Sequence, residues 1–269
     1  MQLCSDTHLE LCSDDYEFNK ILIPSANYVC LLGDIGYPTH PNYKGFINYC
    51  SNNFKKVFVI SGNHEYYATW CLNTSYDFHD INFLIESICE KYSNVYYLNN
   101  RIHVMDEHKY IILGTTLWSN IPLEYYNYIT DNINDYRRIF YTRKHNMTPD
   151  HVNRMFNENK RWLLDTILTQ HEQCKDYKIM ILTHHLPSFD LIHEKYLGNI
   201  NNSDIINMAF ASDLDAEIQS IIGLKYWFFG HTHKSTDKYL FDSRFIANPY
   251  GYRGNNCEYK NNLVIDLEE

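Results

Sequence analysis

No stretch of this 269-residue chain reaches 18 consecutive apolar residues, which argues against a membrane-spanning helix. The first ten residues, MQLCSDTHLE, lack a basic segment followed by a long apolar one, so no signal peptide is expected. No cysteine pair has C-x-x-C spacing. The eight cysteines, at positions 4, 12, 30, 50, 71, 89, 174 and 257, read as reduced and mostly buried thiols of an intracellular, cytoplasmic protein. Positive charge is also short: 23 Lys and Arg stand against 33 Asp and Glu, a net charge of −10. That balance disfavours nucleic acid and anionic membrane as partners. It leaves room for a small anionic substrate if metal ions supply local positive charge. Internal repeats, low-complexity linkers and composition breaks are absent too, so one domain spanning 1–269 is expected.

What is present is a hydrophobic fraction of 45%, enough for a sizeable core. Tyr (24 residues), Asn, Ile and Lys are abundant, and all have AT-rich codons, which points to an AT-rich microbial, protist or viral genome. Short apolar runs alternate with helical patterns. YVCLL (28–32), VFVI (57–60), KYIIL (109–113), KIMIL (178–182) and KYWFF (225–229) read as buried strands, and 257–267 as a last strand. Residues 80–92 place Ile81, Leu84, Ile85, Ile88 and Tyr92 on one helical face. Thr148, Pro149 and Asp150 form a helix start, with the helix running to about 172, and another helix is expected near 213–222. The alternation predicts an α/β layered fold. Residues 117–147, rich in Tyr, Asn and Arg, fit it poorly and suggest a cap or loop insertion.

In α/β sheets, ligand sites form at the carboxyl ends of strands. Five strand ends here carry metal-ligating side chains: Asp6 and His8 in SDTHLE, Asp34 in GDIG, Asn63 and His64 in SGNHE, His184 and His185 in THHLPS, and His231 and His233 in GHTH. A single one is unremarkable, since an Asp after a strand or a His near a turn is usually just solvated. Carboxylate, imidazole and carboxamide together suit a divalent transition metal. Asp6 and His8 are two residues apart, as are His231 and His233; in extended backbone each pair would point to one side and could grip one ion.

The ordered blocks DxH, GD, GNHE, H and GHxH, from residue 6 to residue 233, resemble the calcineurin-like metallophosphoesterases. GTTLWS (114–119), DYRRI (135–139), THHLPS (183–188) and NPYGY (248–252) resemble one uncharacterised branch. The resemblance implies an α/β/β/α sandwich with the metal site at the strand C-terminal ends. It implies two divalent ions, with Mn favoured among Mn, Fe, Zn, Ni and Mg. One would be held by Asp6, His8, Asp34 and His233, the other by Asp34, Asn63, His184 and His231, with Asp34 bridging and His185 the alternative to His184. A metal-bound hydroxide would attack a phosphomonoester or phosphodiester, with nucleotides among the candidate substrates. His64 would bind phosphate and protonate the leaving oxygen.

The chain departs from the serine/threonine protein phosphatases of this superfamily, which carry GDxVDRG where it has GDIGYPTH. Arg137, Arg138 or Arg253 could replace the missing arginine's phosphate contact, although ion pairing is their simpler reading. Gly62 is expected to permit a tight turn. Glu65 would either orient a neighbour or pair with a surface cation. Trp70, Trp118, Trp162 and Trp227 read as packing, and Tyr125, Tyr126 and Tyr128 as either a base-stacking platform or composition. Two rival functions remain: a non-catalytic scaffold of the same fold, against which the intact ligand positions count, and a nuclease, against which the net charge counts.

Overall fold

The structure, a computed structural model, describes residues 1–13, 16–68, 76–194, 197 and 203–267. Trp70 and Cys71 lie outside the described residues. Two sheets form the centre. The first consists of β1 (Gln2–Cys4), β2 (Tyr28–Leu32), β3 (Lys56–Ile60) and β4 (Val95–Tyr97), in that order and all parallel. The second contains β5 (Arg101–Met105), β6 (Tyr110–Gly114), β9 (Lys178–Leu182), β10 (Leu224–Phe229), β11 (Thr236–Leu240) and β12 (Ser243–Ala247). Its order is β11-β12-β10-β9-β6-β5, parallel in the middle with an antiparallel strand at each edge. A small hairpin, β7 (Phe140–Thr142) with β8 (His145–Asn146), stands apart.

Strand periodicity divides the core. Leu3, Cys30, Leu32, Phe58 and Ile60 of the first sheet meet Tyr110, Ile112, Met180, Leu182, Tyr226, Phe228 and Ile246 of the second in one buried cluster. Residues of the opposite parity face helices. Val29, Leu31, Val57, Val59, Ile111, Leu113, Ile179, Ile181 and Trp227 share a second cluster with apolar side chains of α1 (Pro41–Asn53), α2 (Phe78–Cys89), α5 (Pro149–Gln173) and α7 (Asp215–Ser220). The result is an α/β/β/α sandwich. Strands with both faces covered read as unbroken apolar runs, which is why YVCLL and KIMIL stand out in the sequence.

Local signals start the helices. Thr148 caps α5 by accepting from the His151 amide, with Pro149 at the first helical position. Asp77 caps α2 through the amides of His79 and Asp80. Helix α1 and the β11–β12 hairpin were not legible beforehand. His40 caps α1 through its ring, an unusual cap, and the exposed edge strand β11 lacks an apolar pattern. Residues 257–267 do not form the expected strand. Their backbone pairs with Met1 at Ile265, and Lys260 is held by the Asn248 side chain rather than by a neighbouring ladder. Residues 117–147 contain α3 (Tyr126–Asn132), α4 (Asp135–Arg138) and the β7–β8 hairpin. The remaining labelled helix is α6 (Ser203–Asn207). Trp118 and Trp227 are buried and Trp162 packs against the core. Among the described residues no helix is long and apolar enough to cross a membrane.

Candidate metal centre

The loops leaving β1, β2 and β3 of one sheet and β9 and β10 of the other converge at one edge of the sandwich. Backbone and side-chain bonds stitch them together across the sheets. The His184 ring nitrogen Nδ1 lies 2.8 Å from the Leu32 carbonyl, and the Asp6 carboxylate accepts the His231 amide at 3.0 and 3.1 Å. Asp6, His8, Asp34, His231 and His233 all adopt left-handed backbone, with φ from 45° to 74°. A non-glycine residue there costs on the order of 1 kcal/mol or more, so the surrounding contacts must hold the loops in place.

Three groups of ligating atoms occur among the described residues, each with its atoms within 4.8 Å of one another: Asp6, His8, Asp34 and His233; Asp34, His184 and His231; and, at the side, His8, Glu10 and His64. Asp34 stands in the first two and not in the third. His231 and His233 therefore fall into different groups. Both residues have left-handed backbone, not the extended backbone in which residues two apart point to one side. His185 joins none of the groups: it is buried with Nδ1 3.4 Å from the Thr116 carbonyl and its ring against His231.

The donor atoms suit cations. His8 Nε2 and His233 Nε2 face each other at 3.0 Å, His233 Nε2 is 3.3 Å from Asp6 Oδ1, and His184 Nε2 is 3.4 Å from Asp34 Oδ2. Spacings of about 3 Å are those of neighbouring ligands bound about 2.1 Å from one ion. The hydrogen bond from His184 Nδ1 to Leu32 leaves the Nε2 lone pair for a ligand. Asn63 Oδ1 is buried without a hydrogen-bond partner, an arrangement that costs free energy unless something binds there. Asn63 is oriented by its other end, Nδ2 donating to Asp135 Oδ1 at 2.8 Å. The residues fit a divalent metal.

Electrostatics agree. Burial works against ionised Asp34, but His184 and His64 hold its carboxyl well below the usual range. Burial likewise opposes a charged His184, yet Asp34 and Asp6 raise it to about 10. The His184 proton answers the carboxylates' demand for positive charge, and a metal would displace it. His231, desolvated and beside His185 and His184, is pushed well below the ordinary imidazole value and so offers a neutral lone pair.

His64 lines a cavity of about 510 Å³ beside these groups, together with Asp34, Asn63, His231 and His233. Its ring stacks on Tyr67 at 4.1 Å, its Nε2 lies 3.3 Å from the Tyr252 hydroxyl, and its Nδ1 lies 3.9 Å from Glu10 Oε1. Glu10 also approaches His8 Nδ1 at 3.4 Å, and Tyr67 donates to Asp135 Oδ1 at 2.6 Å. Glu10, Tyr67, Asp135 and Tyr252 were not assigned roles from the sequence. The signals available were their places in SDTHLE, directly after SGNHEY, and in DYRRI and NPYGY.

Glu65 does not reach a surface cation. It is fully buried and accepts the amides of Asp34, Ile35 and Gly62 at 3.0, 2.8 and 2.7 Å. Burial, then the Asp34 charge, raise its carboxyl to about 7. Gly62 serves by its size: a Cβ there would stand 2.2 Å from Asp34 Oδ1 and 2.6 Å from the His184 ring. The cavity wall does not include Arg137, Arg138 or Arg253; the Arg138 guanidinium lies 5.6 Å from the centre of the Tyr67 ring. Tyr125, Tyr126 and Tyr128 are also outside the wall.

A family model for calcineurin-like phosphoesterase matches residues 3–235, and the chain belongs to that family. A curated relative is the uncharacterised protein L509 of Acanthamoeba polyphaga mimivirus, 32% identical over 253 residues, covering 90% of this chain and 84% of that protein. Among solved structures, the phosphopantetheinyl hydrolase PptH of Mycobacterium tuberculosis is similar in fold. It has 15% sequence identity and a TM-score of 0.66, with 93% of this chain and 88% of that one covered.

Proposed function

We propose that the protein is a metal-dependent phosphoesterase that uses two divalent ions, with Mn favoured, to hydrolyse a small phosphomonoester or phosphodiester in the cytoplasm. The observation that carries this reading is the pair of ligand groups sharing Asp34, with His64 on the adjoining cavity wall. Asp6, His8, Asp34 and His233 would hold one ion, and Asp34, Asn63, His184 and His231 the other. When bound, such ions lower the pKa of water and offset charge on a phosphoryl group.

The chain's own groups do the rest. His64 faces the cavity and gives a proton to the leaving oxygen. Tyr67 stacking, the Tyr252 hydroxyl and the Glu10 carboxylate restrain its ring on three sides. In the net reaction the ester P–O bond breaks, the oxygen of water bonds to phosphorus, and the alcohol departs with a proton. No covalent enzyme intermediate is required.

His64→Ala tests this. It should retain both ions and the fold and lose turnover by about 10²–10⁴-fold on alkyl phosphates. The loss should be smaller on 4-nitrophenyl phosphate, whose leaving oxygen needs little protonation. Equal losses on both would remove the acid role from His64. Wild-type protein that binds two ions yet turns over no phosphoester would favour a scaffold.

A further inference from the structure

The cavity's far walls say what the rest of the substrate should look like. One wall comes from the residues after α3, where half-buried Ile133 and exposed Asn134 face inward. A further part of the wall comes from α6 and the turn after it, with Ile206, Ala209 and Phe210. Thr232, between His231 and His233, also lines the cavity. It is 7% exposed, and its Oγ1 is buried without a hydrogen-bond partner. A buried hydroxyl left unpaired costs free energy that a bound hydrogen-bonding group would restore.

Charge points the same way. Among the described residues the wall contains no Lys or Arg, and its carboxylates are Asp34 and Asp135. The proposed ions would answer one phosphate. A second anionic group farther out would meet apolar side chains, the uncharged carboxamides of Asn132, Asn134 and Asn207, and the Asp135 carboxylate, none of which supplies a balancing positive charge. A cavity of about 510 Å³ has room for an organic group well beyond the phosphate.

Resting on the phosphoesterase reading above, we infer that the substrate is a phosphoester of an uncharged, largely apolar alcohol that carries an amide or hydroxyl for Thr232, rather than a nucleoside di- or triphosphate. The apolar part lies against Ile133, Ile206 and Phe210, and the polar group pairs with Thr232 Oγ1.

A matched pair of esters decides it. 5-Phosphooxypentanamide and 5-phosphooxypentanoate have the same length and shape, and the distal group differs only in charge. On metal-loaded full-length protein, kcat/KM should favour the amide by about 10-fold or more. Ile133→Lys places a cation in the wall and should shrink that ratio by about 10-fold. Thr232→Val should cut kcat/KM for the amide by about 10-fold relative to pentyl phosphate. Equal values for amide and carboxylate, alongside measurable activity, overturn the inference and leave the phosphoesterase reading standing. If no ester is hydrolysed, 4-nitrophenyl phosphate included, that reading fails. Calorimetric binding of the corresponding phosphonates then still decides the pocket: amide bound about 10-fold tighter upholds the preference for a neutral group, and equal Kd values reject it.

Discussion

Glu65 is the residue through which two ligand-bearing loops are held together, and its removal has a calculable cost. The carboxylate has no exposed surface and accepts three backbone amides: Oε2 takes those of Asp34 and Gly62, and Oε1 takes that of Ile35. Glu65→Ala strands three buried N–H groups. At about 1–3 kcal/mol each, the loss is on the order of 3–6 kcal/mol after some relaxation. Against a total stability of about 5–15 kcal/mol, that leaves little or no folded protein. Glu65→Gln is the informative variant. One amide oxygen can serve the two donors at the Oε2 position, but its NH₂ then faces the Ile35 N–H. One hydrogen bond is lost and two donors oppose each other, at a cost of about 1–3 kcal/mol. For a chain of this length each kcal/mol lowers Tm by roughly 2–4 °C. Because Asp34 stands in both of the proposed ligand groups, its loosened loop should also weaken metal binding by about 10–100-fold. Calorimetric melting with and without Mn²⁺, and titration calorimetry with Mn²⁺, measure both quantities. A Gln variant with wild-type Tm and wild-type metal affinity would refute the reasoning.

Three further perturbations probe separate contacts. Gly62→Ala forces a methyl against Asp34 Oδ1 and the His184 ring, so it should cost about 1–3 kcal/mol in thermal melts; a neutral result would show that the loops yield freely. Asp135→Ala should free the Asn63 carboxamide and lower the affinity for one of the two proposed ions by about 10–100-fold in titration calorimetry. Asp135→Asn should restore it, because one oxygen, Oδ1, accepts from both Asn63 and Tyr67; equal affinities in all three proteins would remove the positioning role. Glu107, bonded to Lys56 at 2.9 Å, is held at about 2, below its unfolded value of 4.5. A depressed carboxylate stabilises above the unfolded value and loses that contribution as pH falls through the folded one. The group is well exposed, so the pair is worth no more than about 1 kcal/mol. Glu107→Gln should lower Tm by about 1–3 °C at pH 7 and by progressively less from pH 5 toward pH 3; a constant difference would contradict the assignment.

The sequence by itself carried the layered α/β class and the family, because both reside in short-range patterns. Apolar runs such as KIMIL announce strands buried on both faces, and the blocks from Asp6 to His233 keep their order along the chain. Thr148 and Pro149 marked the start of α5 because capping is a local hydrogen-bond matter. Tertiary structure decided what depends on which segments meet. His231 and His233, two residues apart, could by spacing alone grip one ion; the resemblance implied different ions, and the packed loops place their ring nitrogens in different ligating groups. Glu65 could have been a surface residue. It became the acceptor for three amides only when the β2 and β3 loops were packed against each other, since two of those amides lie some thirty residues away. Asp135 and the Ile133 wall likewise come from a segment with no strand or helix pattern of its own. Their position over the site is set by the folds of α3 and α4, and with it the orientation of Asn63 and the character of the cavity.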